Sequence, residues 1–252
     1  MVSVEDARLL RDLALKYETT EFISDDPVSF PHRYKEVCDI EISAFIAQWL
    51  AYGKREMFLR VLDMLGQKMG TSPHLYIKNR GFEEFKDDDT CLYRFYKKRD
   101  LYFLCSKLHE VYFECYGGGL TMQEVLKKRI DTDFPCSFKA VLECLASIFG
   151  SVNGIPDNTA SACKRLCMFL RWMVRKSSPV DFGLWNIVKT EDLIIPLDTH
   201  VFQQSKRFNL TMRKNADFKT AVEITEGLKQ IFPNDPVRAD FALFGYGVNN
   251  KN

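Results

Sequence analysis

Apolar positions recur at three- and four-residue spacing along almost the whole chain, a pattern that predicts helices. Leu9, Leu10, Leu13 and Tyr17 form the first stripe, and Ser3 with Asp6 resembles a capping box at its start. Asp39 opens a strongly apolar helix, DIEISAFIAQWLAYG, with Gly53 as its stop, and KREMFLRVLDMLGQKMG follows almost at once. Further helices are predicted from about 99 to 116, 121 to 129 and 133 to 149. The helix SACKRLCMFLRWMVRK then carries Leu166, Phe169, Leu170 and Met173 along one side. The last two lie around 217 to 231 and after Asp235-Pro236, an N-cap followed by proline in the first turn. Breakers separate them: two prolines in residues 25 to 34, Pro73, Gly81 and the acid run Asp87–Asp89, and the loop SVNGIPDNTA at 151 to 160. Only LIIPL, residues 193 to 197, tempts a strand assignment. The fold class is all-α.

Composition narrows this little. A chain of 252 residues, 46% hydrophobic and 27% charged, suits a globular protein with a sizeable core. No apolar run reaches membrane-spanning length. The acidic N-terminus MVSVEDARLLRDLALKYE lacks a signal peptide's apolar block, so a cytoplasmic monomer with no membrane partner is expected. The eight cysteines form no C-x-x-C pair; Cys163 and Cys167, one helical turn apart, read as buried thiols, and no metal site is indicated.

Charge changes the picture more. Residues 160 to 214 hold ten Lys and Arg against four acids, a surplus of six on a chain whose net charge is +1. A basic segment on an otherwise acidic chain suggests an anionic partner such as nucleic acid. Lys164, Arg165, Arg171, Arg175, Lys206, Arg207, Arg213 and Lys214 are expected to contribute mostly to one positive face, with Arg165, Lys206, Arg207 and Lys214 on the DNA backbone. Solvated helix faces explain such runs equally well.

Two residues carry candidate chemistry. Lys164 sits in the first turns of its helix, where neighbouring cations and partial burial favour the neutral, nucleophilic amine. Asp198, in IIPLDTHV, is placed to cap a helix, and the same helix start keeps a carboxylate ionised and able to take a proton. Gln48 and Trp49 could read and stack on a flipped base, or equally pack in a core.

Lys164, a loop and then Pro196-Leu197-Asp198-Thr199-His200-Val201 resembles the helix-hairpin-helix DNA glycosylase superfamily, whose archaeal 8-oxoguanine glycosylase branch has a similarly long interval between lysine and aspartate. Over nearly its full length the chain resembles a bacterial family of unknown function, through AYG at 51–53, the block at 169–201 and DPVRADFALFGYGV at 235–248. The resemblance implies a single family domain over 1–252 with two lobes. Residues 37–176 would form one, containing the hairpin-like segment 151–164; 1–36 with 177–252 would form the other. It implies Lys164 and Asp198 as catalytic residues and Asp240 with Phe244 as further contacts to the base. The superfamily's hairpin is typically L-P-G-hydrophobic-G; here Gly154 and Pro156 stand without a second glycine. The implied activity is excision of an oxidised purine, such as 8-oxoguanine, from double-stranded DNA through a lysine Schiff base, with no cofactor. A non-catalytic helical nucleic-acid-binding module and a protein-interaction domain remain as alternatives.

Overall fold

The computed structural model describes residues 2–249, with side chains through Gly247. In chain order the helices are α1 (Val4–Tyr17), α2 (Glu21–Ser24), α3 (Val37–Leu50), α4 (Arg55–Met69), α5 (Pro73–Lys78), α6 (Lys98–His109), α7 (Met122–Ile130), α8 (Phe138–Phe149), α9 (Lys164–Val174), α10 (Thr199–Arg207), α11 (Phe218–Lys229) and α12 (Ala239–Asn249). Among the described residues one hairpin, β1 (Cys91–Tyr93) with β2 (Tyr96–Lys97), is the entire sheet. The protein is all-α in class, and no described helix is long and apolar enough to cross a membrane.

Two compact units form: Met1–Ser24 with Phe134–Leu142 and Asn158–Asn252, and Asp25–Asp133 with Glu143–Asp157. They are called the terminal and the central unit below. The grouping differs from lobes of 37–176 and of 1–36 plus 177–252: α9 belongs with the C-terminal helices. The reason is ionic, because Arg171 and Arg175 on α9 bind carboxylates of the C-terminal segment.

In the central unit α3 is the pillar. Its residues 39–50 are all buried, as expected of a helix apolar on every side. Two acids interrupt that surface, and each caps another element. The Asp39 carboxylate accepts from the Ser72 hydroxyl at 2.8 Å and the His74 amide at 2.7 Å, at the start of α5. Glu41 accepts from the Tyr112 hydroxyl at 2.7 Å and the Met122 amide at 2.9 Å, at the start of α7. Helix starts leave amides without intrahelical partners, and a carboxylate satisfies them while meeting the positive end of the dipole. Asp39 therefore does not open α3; Glu36 does, without a side-chain cap.

In the terminal unit α1 packs along α12, and α12 along α10. Ser3 caps α1 by accepting from the Asp6 amide. Phe22 meets Phe241 edge to face, with centroids 5.0 Å apart. The stretch 193–197 is buried and extended but pairs with no strand; the Ile195 amide donates to the Thr225 hydroxyl of α11 at 3.1 Å. α8 begins at Phe138 rather than 133, beyond Pro135.

Candidate active site

Within the terminal unit, the starts of α9 and α10 bring together the pair singled out from the sequence. The Lys164 Nζ lies 3.7 Å from Asp198 Oδ2, with side chains 33% and 17% exposed. Asp198 is the N-cap of α10, its Oδ1 accepting from the Val201 amide at 2.8 Å. One oxygen thus holds the helix start while the other faces the amine, so capping and a second role coexist in one carboxylate. Two of the cations expected to crowd Lys164, Arg171 and Arg175, are committed elsewhere, and the charges that act with it are the carboxylates of Asp198 and Asp240.

Arg171 on α9 and Arg175 at its C-cap enter a buried ion network. The Arg171 guanidinium bridges Asp181, at 3.2 Å, and Asp240, and lies over the Phe241 ring at 4.6 Å. Arg175 reaches Glu18 at 2.6 Å, Asp181 at 2.8 Å and Asp235 at 2.7 Å. Arg238 binds Glu18 at 2.8 Å. Burial alone would lower the Arg175 pKa, but its hydrogen bond to Asp235 and the charges of Asp181 and Asp235 raise it. Arg171 and Arg175, both buried, are therefore not part of a positive outer face. Arg213 is also committed, donating to Thr220 at 2.7 Å and pairing with Asp217 at 2.9 Å.

Asp240 joins the site from α12. Burial pushes its carboxyl up to about 7; Arg171 and Lys164 pull it down, Asp198 and Asp181 push it further up. An ion pair would normally keep such an acid ionised. Here three arginines serve four carboxylates (Glu18, Asp181, Asp235 and Asp240), and one acid retains a proton more readily. One turn along α12, the Phe244 ring lies edge to face against His200 at 6.2 Å and Phe22 at 6.3 Å. His200 thus sits in the first turn of α10, half-buried against an aromatic. Lys164, Asp198, Asp240, Phe244 and His200 converge in this unit.

The other candidates fare differently. Gln48 and Trp49 belong to the central unit and are buried in α3. Trp49 stacks on Tyr96, centroids 4.1 Å apart, and its Nε1 donates to the Asn153 carbonyl at 2.8 Å. This is core packing, and the indole face against Tyr96 is not open to a base. Gln48 Nε2 is buried without a hydrogen-bond partner. Of the backbone candidates, Lys206, Arg207 and Lys214 are exposed and Arg165 is half-buried. Lys206 lies over Phe202 at 4.4 Å and Arg207 over Tyr246 at 4.8 Å, in the last turn of α10, where a helix end favours cations.

The segment 151–164 makes turns rather than a glycine-rich hairpin. Gly154 adopts φ +84° with the Tyr96 hydroxyl where a Cβ would stand, so the glycine serves internal packing. Cys163 precedes α9 at φ +48°, and burial raises the thiol pKa of both Cys163 and Cys167, as inert interior thiols require.

Comparison with known families adds one finding. Residues 26–249 match the model of a family described as "Protein of unknown function (DUF2400)". The chain belongs to this family. Both halves of the lysine–aspartate pair, and the whole ion network except Glu18, lie inside the matched span. No curated protein and no solved structure matches the chain.

Proposed function

We propose that the protein is a DNA glycosylase with lyase activity, removing an oxidised purine such as 8-oxoguanine from duplex DNA. The observation that carries this reading is the Lys164–Asp198 pair, an amine 3.7 Å from a carboxylate whose other oxygen is fixed at a helix start. Both side chains retain solvent access, so a substrate can reach them. In the reaction Asp198 takes a proton from the Lys164 ammonium. The amine's lone pair then attacks C1′ of the damaged nucleotide. The glycosidic bond breaks, its electron pair leaves with the base, and Asp198 passes the proton it took to the departing base. Opening of the sugar ring gives an imine between Lys164 and C1′; loss of a C2′ proton then expels the 3′ phosphate. Ionised again once that proton has left, the Asp198 carboxylate balances the positive charge of the protonated imine. Phe244 and Asp240 supply an aromatic edge and a polar group for the base. Lys206, Arg207, Lys214 and Arg165 supply cations for the phosphates.

Incubating the protein with duplex DNA carrying 8-oxoguanine and with borohydride should leave a covalent adduct, because reduction fixes the imine. Lys164→Gln should abolish the adduct with folding unchanged. Asp198→Asn, which keeps a capping side chain, should fold and bind DNA but lose at least a hundredfold in trapping rate. Absence of any adduct across oxidised, alkylated and deaminated bases would leave the pair as a plain ion pair and favour a non-catalytic nucleic-acid-binding module.

A further inference from the structure

The central unit carries a second feature, absent from the sequence reading: the tip of the β1–β2 hairpin. Phe95 is 80% exposed there, while Tyr93 and Tyr96 on either side are buried. Arg94 turns the chain at φ +52°, a region costly for a residue with a side chain. Its guanidinium lies over the Tyr52 ring at 5.6 Å and the Phe95 ring at 5.8 Å.

The tip is tied down from beneath. The Phe95 amide donates to the Tyr52 hydroxyl at 3.3 Å, the Tyr52 hydroxyl to the Tyr93 carbonyl at 3.3 Å, and the Tyr93 hydroxyl to the Tyr52 carbonyl. Tyr96 stacks on Trp49 below. Gly53, at φ +81°, lets this turn approach; a Cβ there would strike the Tyr93 hydroxyl and Arg94. Phe95 is therefore presented on a fixed base, which lowers the ordering cost of anything that binds it.

Size and charge select the occupant. Between 91 and 99 Phe95 is the one exposed large hydrophobe. A single ring is too small for a stable protein interface, which needs roughly 800 Å² per partner. It does match the face of one nucleobase. Lys97, Lys98 and Arg99 pair with Asp88 and Asp89, which offset two of their three charges. The cations at the tip itself are Arg94 and the exposed Lys54, which follows Gly53 against the Arg94 side chain.

We propose that the Arg94–Phe95 tip is a stacking platform for an unpaired nucleobase of a DNA strand, with Phe95 against the base and Arg94 and Lys54 toward the phosphates. The platform is separate from the lysine–aspartate chemistry and needs no damaged base. Binding of fluorescein-labelled dT15 to the full-length protein tests it, against the same oligomer made of abasic sites and against the dT15·dA15 duplex. Wild type should prefer dT15 to both. Phe95→Ala should weaken dT15 binding about tenfold with the salt slope unchanged, as loss of a stacking contact predicts. Phe95→Trp should restore it and show quenched indole emission on adding dT15; Phe95→Leu, apolar but not planar, should behave as Ala. Equal binding of dT15 and the abasic oligomer, an unaffected Phe95→Ala, or full rescue by Leu would overturn the proposal. Because Phe95 is exposed, none of these substitutions endangers the fold.

Discussion

The two units bury acids in different company. In the central unit Asp39 and Glu41 meet hydroxyls and amides, and each closes the start of a helix. In the terminal unit Asp181, Asp235, Asp240 and Glu18 meet guanidinium groups, and no helix start explains them all. The first arrangement satisfies backbone at modest cost. The second takes charges from water, where removal of one partner leaves the others unpaired. Interior charge of that kind stands beside the Lys164–Asp198 pair and reaches it through Asp240, so the terminal unit carries the electrostatics of the candidate site.

The largest effect should come from Arg175→Met. It strips a shared cation from three carboxylates and should destabilise the protein by about 3–5 kcal/mol in urea unfolding. Glu41→Ala should cost less, about 1–3 kcal/mol, because it orphans the Tyr112 hydroxyl and the Met122 amide but leaves no charge behind. If Glu41→Ala proves the costlier change, the contrast between the units is wrong.

Asp240 sharpens the comparison through pH. Its folded pKa of about 7 stands well above the ordinary aspartate value of 3.8. The protonated form therefore stabilises the fold fully below pH 4, and that contribution is lost as pH rises toward 7. The stability of Asp240→Asn relative to wild type should accordingly improve between about pH 4 and 7, read as the difference of their melting temperatures. A flat difference would mean that Arg171 keeps Asp240 ionised throughout. The smallest stability change should follow Lys206→Ala with Arg207→Ala, two exposed sites. Its signature lies in DNA binding, where the salt slope should fall by about one per lost phosphate contact.

The helices were legible because burial on one side imposes a three-to-four-residue rhythm, and α3 showed itself by being apolar all round. Asp198 was legible as the cap of α10 because caps follow local rules; Lys164 was legible as the first residue of a helix after a turn-rich loop, although Cys163 holds the cap position there. Arg171 and Arg175 were misread because a charge count treats every arginine as solvated. Their phase was the available signal: 164, 171 and 175 share one face of α9, the face with Lys164. The β1–β2 hairpin was invisible, since strands of three and two residues cannot establish an alternation. Trp49 could not be assigned from its type, because stacking on Tyr96 and stacking on a base use the same ring.

The pairing of α1 with α12 has a consequence for synthesis. Glu18 meets Arg238 and Arg11 meets the Ile231 carbonyl across 220 positions of sequence. As the chain leaves the ribosome, α1 emerges long before α12, and its apolar side, Leu10, Leu13 and Ala14, lacks that partner until α12 is made. The central unit has all its residues by Asp157 and can consolidate while translation continues. The terminal unit must wait, so a nascent chain stalled before residue 239 would carry a finished scaffold and an unassembled candidate site.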